Sequence, residues 1–189
     1  MALLKADHRQ VEGLFAQFEA AKRDGEKKAL AEQICMELTV HTKIEEEIFY
    51  PACEGAGEED LLQEAYVEHD AAKVLIAELE AGGPDDNFYD AKVKVLSEII
   101  QHHVEEEEKR VEGMFDQARK AGLDMDELGE RLAAEKQELV ANYKNERPAP
   151  SSNHHLLRHR AGLRLRLNPP WLRRPDAGRR SSRRVRVDA

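Results

Sequence analysis

The chain is poor in aromatic residues, which make up 5% of its 189 positions. It has no glycine-rich phosphate loop, and the two features together argue against nucleotide chemistry. Gly-x-Ser-x-Gly, His-Glu-x-x-His and Cys-x-x-Cys are all missing, so the common signatures of serine hydrolases, zinc proteases and thiol redox proteins are excluded. No histidine has a glutamate three residues before it, so the paired Glu-x-x-His motif of ferritin-like di-iron oxidases is absent too. Cysteine occurs twice, at Cys35 and Cys53. Both fall in predicted helices and read as small hydrophobes. Two thiols make no disulfide framework, so a reduced, cytoplasmic setting is the default. No apolar run reaches the roughly 18 residues of a membrane span, and no signal peptide opens the chain. No convincing period-2 strand is present.

What is abundant is helical. Glu, Lys, Ala and Leu dominate the first three quarters of the sequence, and their apolar phase resolves into four long amphipathic segments. The first, about 3–22, aligns Leu4, Val11, Phe15 and Phe18. The second, about 27–53, aligns Ile34, Leu38, Ile48 and Phe49. The third, about 59–81, aligns Leu62, Tyr66, Ile76 and Leu79 and is stopped by "GGPDDN". The fourth, about 88–121, aligns Val93, Leu96, Ile100, Val111 and Met114, with Gly122 as its left-handed terminator. Short loops between long helices predict an all-α, up-down-up-down four-helix bundle over residues 1–122. A shorter fifth helix is predicted over 123–147, opened by a capping box in which Asp124 faces Glu127.

From residue 148 the character changes. Residues 148–189 hold eleven arginines against two acids, Asp176 and Asp188, a net +9, so the rest of a chain at −9 carries −18. Pro and Ser are frequent and the apolar phase is lost, which predicts a disordered basic tail. Such a tail could neutralise phosphates, and "PPWLRRP" offers one aromatic for stacking. The simpler reading is a non-specific tail, and no nucleic-acid partner is assigned.

The histidines carry the chemistry. Five occur in the first 147 residues, His8, His41, His69, His102 and His103, and each long helix has at least one. His8 fills a gap in the apolar phase of the first helix, His41 and Glu45 in the second, His69 in the third, and His103 and Glu107 in the fourth. Residues three or four apart share a helix face, so every helix turns a ligand-type group toward the core. Four imidazoles and two carboxylates are costly to bury unpaired. A cation would satisfy them all, and this donor set suits iron, manganese or zinc. In "HHVEEEE" (102–108) the phase favours His103 over His102 as the inward residue and leaves the remaining glutamates outside or flanking.

The ordered set "ADHRQVEGLF", "HTKIEEEIFYP", "VEHDAAKVLIAELE" and "HHVEEEE" resembles the successive helices of the hemerythrin, or HHE cation-binding, family over about residues 1–120. The resemblance implies a centre of two non-haem iron ions that takes dioxygen or a related small ligand. His8, His41, His69 and His103 would be terminal ligands, with Glu45 and Glu107 bridging. One departure matters. Oxygen carriers of the family place a second histidine one turn from the one on the third helix, where this chain has Ala65 and Lys73. The family pattern then leaves one ligand position without an owner, which favours chemistry with peroxide or nitric oxide, or weaker metal retention, over simple oxygen carriage.

Overall fold

The computed structural model describes residues 1–57 and 59–146. The basic tail read from the sequence lies outside the described residues. Among these residues, seven α-helices follow one another: α1 (Ala2–Ala20), α2 (Asp24–Ile44), α3 (Tyr50–Cys53), α4 (Glu59–Ala81), α5 (Tyr89–Glu108), α6 (Met114–Lys120) and α7 (Met125–Glu146). A single π-helical turn, Glu45–Phe49, joins α2 to α3 without a break. Among the described residues there is no strand. The long helices pack in a ring, α1 on α2, α2 on α4, α4 on α5 and α5 back on α1. This is the four-helix bundle that the short loops require.

Local chemistry sets the ends. Asp24 and Glu26 lie in the first turn of α2, where carboxylates complement the positive end of the helix dipole. Asp124 caps α7, accepting hydrogen bonds from the backbone N–H of Asp126 and Glu127 at 3.1 and 3.0 Å. Gly122 terminates α6 at φ +82, a conformation that costs glycine nothing. The α7 helix has 22 residues against 19 in α1, so it is not the shorter element that the sequence suggested.

The fourth segment departs from its predicted span. α5 ends at Glu108, not near 121, because Lys109 turns extended at φ −49 and ψ 128 and Glu112 adopts φ 70. Gly113 permits this turn, since a Cβ there would lie 2.4 Å from the Lys109 carbonyl oxygen. Val111, placed on the inward face by periodicity, therefore sits outside at 61% exposure. Met114 and Phe115 return to the core on α6.

Two apolar clusters fill the bundle. One is built around Val11, Leu38, Ala72, Leu96 and Ile100. The other gathers Leu4, Ile44, Phe49, Ala65 and Met114, and takes in Leu128 and Leu132 of α7. On α1, α2 and α4 the histidine stands between a residue of the first cluster and one of the second, and beyond His103 and Glu107 of α5 the second cluster resumes at Met114 of α6. The polar groups therefore form a layer across the bundle, with oil on both sides.

Candidate metal centre

All six residues singled out in the sequence are buried: His8, His41, Glu45, His69, His103 and Glu107. The structure brings them into two adjoining groups that share Glu45, one with His8, His41 and Glu107, the other with His69 and His103. Each histidine turns Nε2 inward. His8 Nε2 and His41 Nε2 are 3.0 Å apart, and His69 Nε2 and His103 Nε2 are 3.2 Å apart. Two donors bound at right angles to one ion through bonds of about 2.1 Å stand about 3.0 Å from each other, so both spacings match an edge of a coordination sphere. His102 lies on the outer surface, 54% exposed, and joins neither group.

The carboxylates link the two imidazole pairs. Glu45 sets Oε1 at 3.2 Å from His41 Nε2 and Oε2 at 3.4 Å from His69 Nε2. Glu107 sets Oε2 at 3.4 Å from His8 Nε2 and Oε1 at 3.6 Å from His103 Nε2. Each therefore turns one oxygen to each pair. Both Glu45 oxygens and Glu107 Oε2 are buried without a hydrogen-bond partner, as are His41 Nδ1 and Asp7 Oδ2. Buried polar atoms are rarely left so, and cations between the imidazole pairs would satisfy the inward-facing ones.

Sequence reasoning missed Tyr50. Its hydroxyl lies 3.1 Å from His69 Nε2 and 3.4 Å from His103 Nε2, and donates to Glu107 Oε1 at 3.2 Å. One turn from His69, α4 itself offers no further donor: Ala65 is buried in the second apolar cluster, and Lys73 pairs outward with Glu46. The π turn is the cause of the Tyr50 placement. The Tyr50 N–H bonds to the Glu45 carbonyl, five residues back. An α-helix would set residues five apart about 140° away from each other, whereas the wider turn brings them near one face.

A second layer surrounds the first. His8 Nδ1 meets Glu108 at 2.7 Å, His69 Nδ1 meets Glu46 at 3.0 Å, and His103 Nδ1 meets Glu68 at 3.0 Å. His41 Nδ1 faces Asp7 at 3.5 Å, an ion-pair distance longer than a hydrogen bond. Every outer carboxylate is the sequence neighbour of an inner residue. A carboxylate on Nδ1 fixes the tautomer that leaves the Nε2 lone pair inward.

The electrostatics are those of a site short of positive charge. Burial opposes ionisation of Glu45, yet His41 and the other imidazoles hold its carboxyl well below the usual value. Burial, then Glu45, pushes Glu107 up to about 8. Burial pulls His41 down, but Glu45 and Asp7 carry it up to about 9. Burial and the neighbouring His41 lower His8 to about 4. Cys53, buried near the two glutamates, is pushed up to about 12 and is an inert thiol. Cys35 is also buried.

The family profile described as the hemerythrin HHE cation-binding domain matches residues 1–115. The chain belongs to that family. An uncharacterized protein of Mycobacterium tuberculosis is 25% identical over 138 residues, which is 72% of this chain and 84% of that one. A DNA nickase of Nostoc sp. is 29% identical over 106 residues, covering 56% of this chain but 30% of the nickase. The chain thus spans less than a third of that relative's length. The crystal structure of an HHE cation-binding domain-containing protein from Mycobacterium kansasii superposes with a TM-score of 0.65 at 23% identity, covering 77% of this chain and 89% of the other. The HHE chain described here is thus a cation-binding helical bundle with buried His and Glu candidates for the cation. No helix among the described residues is long and apolar enough to cross a membrane.

Proposed function

We propose that the protein holds two non-haem iron ions and binds dioxygen or a related small ligand at them, in a cytoplasmic setting. One observation carries the reading: two imidazole pairs, at 3.0 and 3.2 Å, are joined by two carboxylates that each give one oxygen to either pair. Imidazole with carboxylate is a donor set that iron accepts. His8 and His41 would hold one ion, His69 and His103 the other, and Glu45 and Glu107 would bridge them. Tyr50 supplies an oxygen on the His69–His103 side, so the position left open by Ala65 has a candidate owner. Bound there, the ion pair would supply reversible or redox binding of a small molecule.

Val11, Leu38, Ile100 and Val104 wall a cavity of about 10 Å³ beside the imidazoles, room for about one water-sized sphere. Without movement of those walls, nothing larger than a ligand of that size fits there. The buried cysteines Cys35 and Cys53 accord with a reduced compartment. A second reading, a redox enzyme acting on peroxide or nitric oxide, draws on Tyr50. Its O–H, within 3.4 Å of both imidazoles and hydrogen-bonded to Glu107, is a buried proton donor beside the candidate ligands.

The test is anaerobic loading of the full chain with ferrous iron, a count of bound metal, and an optical spectrum on admitting oxygen. Two irons per chain and a visible band that vanishes on deoxygenation are expected. A band that forms once and persists would favour the redox reading. Failure to bind iron would overturn both.

A further inference from the structure

Each carboxylate behind a histidine has a basic side chain behind it in turn. Glu108 meets Arg9 at 2.7 Å, Glu46 meets Lys73 at 2.7 Å, and Glu68 faces the His102 imidazole at 3.6 Å. These three partners ride on the helices that carry the candidate ligands, and all are well exposed, so water screens them. The fourth is different. Lys136 Nζ lies 2.6 Å from Asp7 Oδ1, its side chain is 19% exposed, and it comes from α7. That helix lies beyond residues 1–115, the part of the chain that the family profile covers.

We infer that Lys136 is a positioning residue for His41, acting through Asp7, and that α7 thereby belongs to the metal centre. This rests on the proposed reading of the site as a metal centre. Asp7 is shared between two claims: Oδ1 is held by Lys136 and Oδ2 faces His41 Nδ1 at 3.5 Å. Lys136 therefore fixes where the acceptor for the His41 Nδ1–H stands. A cation at His41 Nε2 makes that N–H a stronger donor and draws the imidazole and Asp7 together. Without Lys136, Asp7 would keep only its long contact to His41 and could swing toward water, and His41 would lose a fixed orienting partner. The docking of α7 itself does not depend on this contact. Leu128 and Leu132 anchor the helix in the second apolar cluster, so Lys136 can be replaced without detaching α7.

The experiment compares full-length Lys136→Met, Lys136→Arg and His41→Ala with the wild type. Each is loaded with ferrous iron without air and challenged with excess chelator. The rate of iron release is read beside the far-ultraviolet circular dichroism. Lys136→Met should keep its helical signal and release iron about tenfold faster, the low end of what loss of an outer partner costs a metal site. Lys136→Arg should return the rate to within about twofold, because the charge and its reach are kept. Release from Lys136→Met at the wild-type rate would overturn the inference, and so would equal acceleration in the Met and Arg variants. If His41→Ala takes up iron as the wild type does, the metal reading itself fails. If His41→Ala loses iron while Lys136→Met does not, only the role of Lys136 fails.

Discussion

Replacing Glu107 with leucine should stabilise the metal-free protein and destabilise the metal-loaded one. In the absence of metal, Glu107 is a fully buried acid. Burial and Glu45 lift it to about 8, so at pH 7 it is mostly protonated, and its Oε2 has no hydrogen-bond partner. A buried polar group left unsatisfied costs roughly 1–3 kcal/mol. Leucine has a similar volume and faces apolar neighbours on both sides of the polar layer. The loss on the other side of the ledger is one hydrogen bond from Tyr50 at 3.2 Å, and that hydroxyl keeps His69 at 3.1 Å. The expected net gain for metal-free Glu107→Leu is therefore about 1–2 kcal/mol, or about 2–8 °C in Tm for a domain of this size. With iron present the order should invert. The wild type gains about 2.7 kcal/mol at a free metal concentration one hundred times Kd, whereas the variant has lost an oxygen to each imidazole pair. Urea unfolding of both proteins, once in chelator and once in anaerobic ferrous iron, measures all four numbers. The reasoning is refuted if Glu107→Leu unfolds more easily than the wild type in chelator, because the cluster would then be a self-sufficient hydrogen-bonded network with no need of a cation.

Further predictions concern protons and two glycines. Glu107, lifted to about 8 from the 4.5 it has in the unfolded chain, stabilises the metal-free fold fully below about pH 4.5 and loses that contribution as pH rises through about 8. Metal uptake at pH 7 should therefore expel protons, roughly three per chain, counting Glu107, His41 at about 9 and His103, which Glu107 and Glu45 hold well above its ordinary value despite burial; an indicator dye that sees no release during loading would contradict this. In the glycines, Gly129→Ala in α7, where a Cβ meets nothing within 4 Å, should raise stability by about 0.5–1 kcal/mol. Gly113→Ala should lower it, because its Cβ would fall 2.4 and 2.7 Å from the Lys109 backbone. Denaturation midpoints of opposite sign are the check.

Much of the site was legible because an α-helix repeats every 3.6 residues. His8, His41, His69 and His103 occupy slots in an apolar phase, and that phase survives packing. Tyr50 was not legible, because periodicity assumes one helix type and Glu45–Phe49 is a π turn. The extra width rotates everything after it, and nothing in "EEEIFYP" announces the change. Asp7, Glu46, Glu68 and Glu108 lie off the apolar phase, where periodicity gives no signal, yet off-phase is where a side chain must lie to reach the far nitrogen of a histidine on the next helix. The end of α5 at Glu108 was hidden by the opposite effect. Met114 returns to the core from α6 and mimics a helix that never stopped.

The polar layer also divides the molecule. Because the two apolar clusters meet across buried imidazoles and carboxylates rather than across oil, hydrophobic contact does not run unbroken from one end of the bundle to the other. Each half is a candidate cooperative folding unit. Cations bridging Glu45 and Glu107 would act as a cross-link between those units. In their absence, backbone amides at one end of the bundle can exchange with solvent while the other end stays folded. In their presence the two ends must open together, so the metal that gives the protein its chemistry would also decide whether it behaves as one body or two.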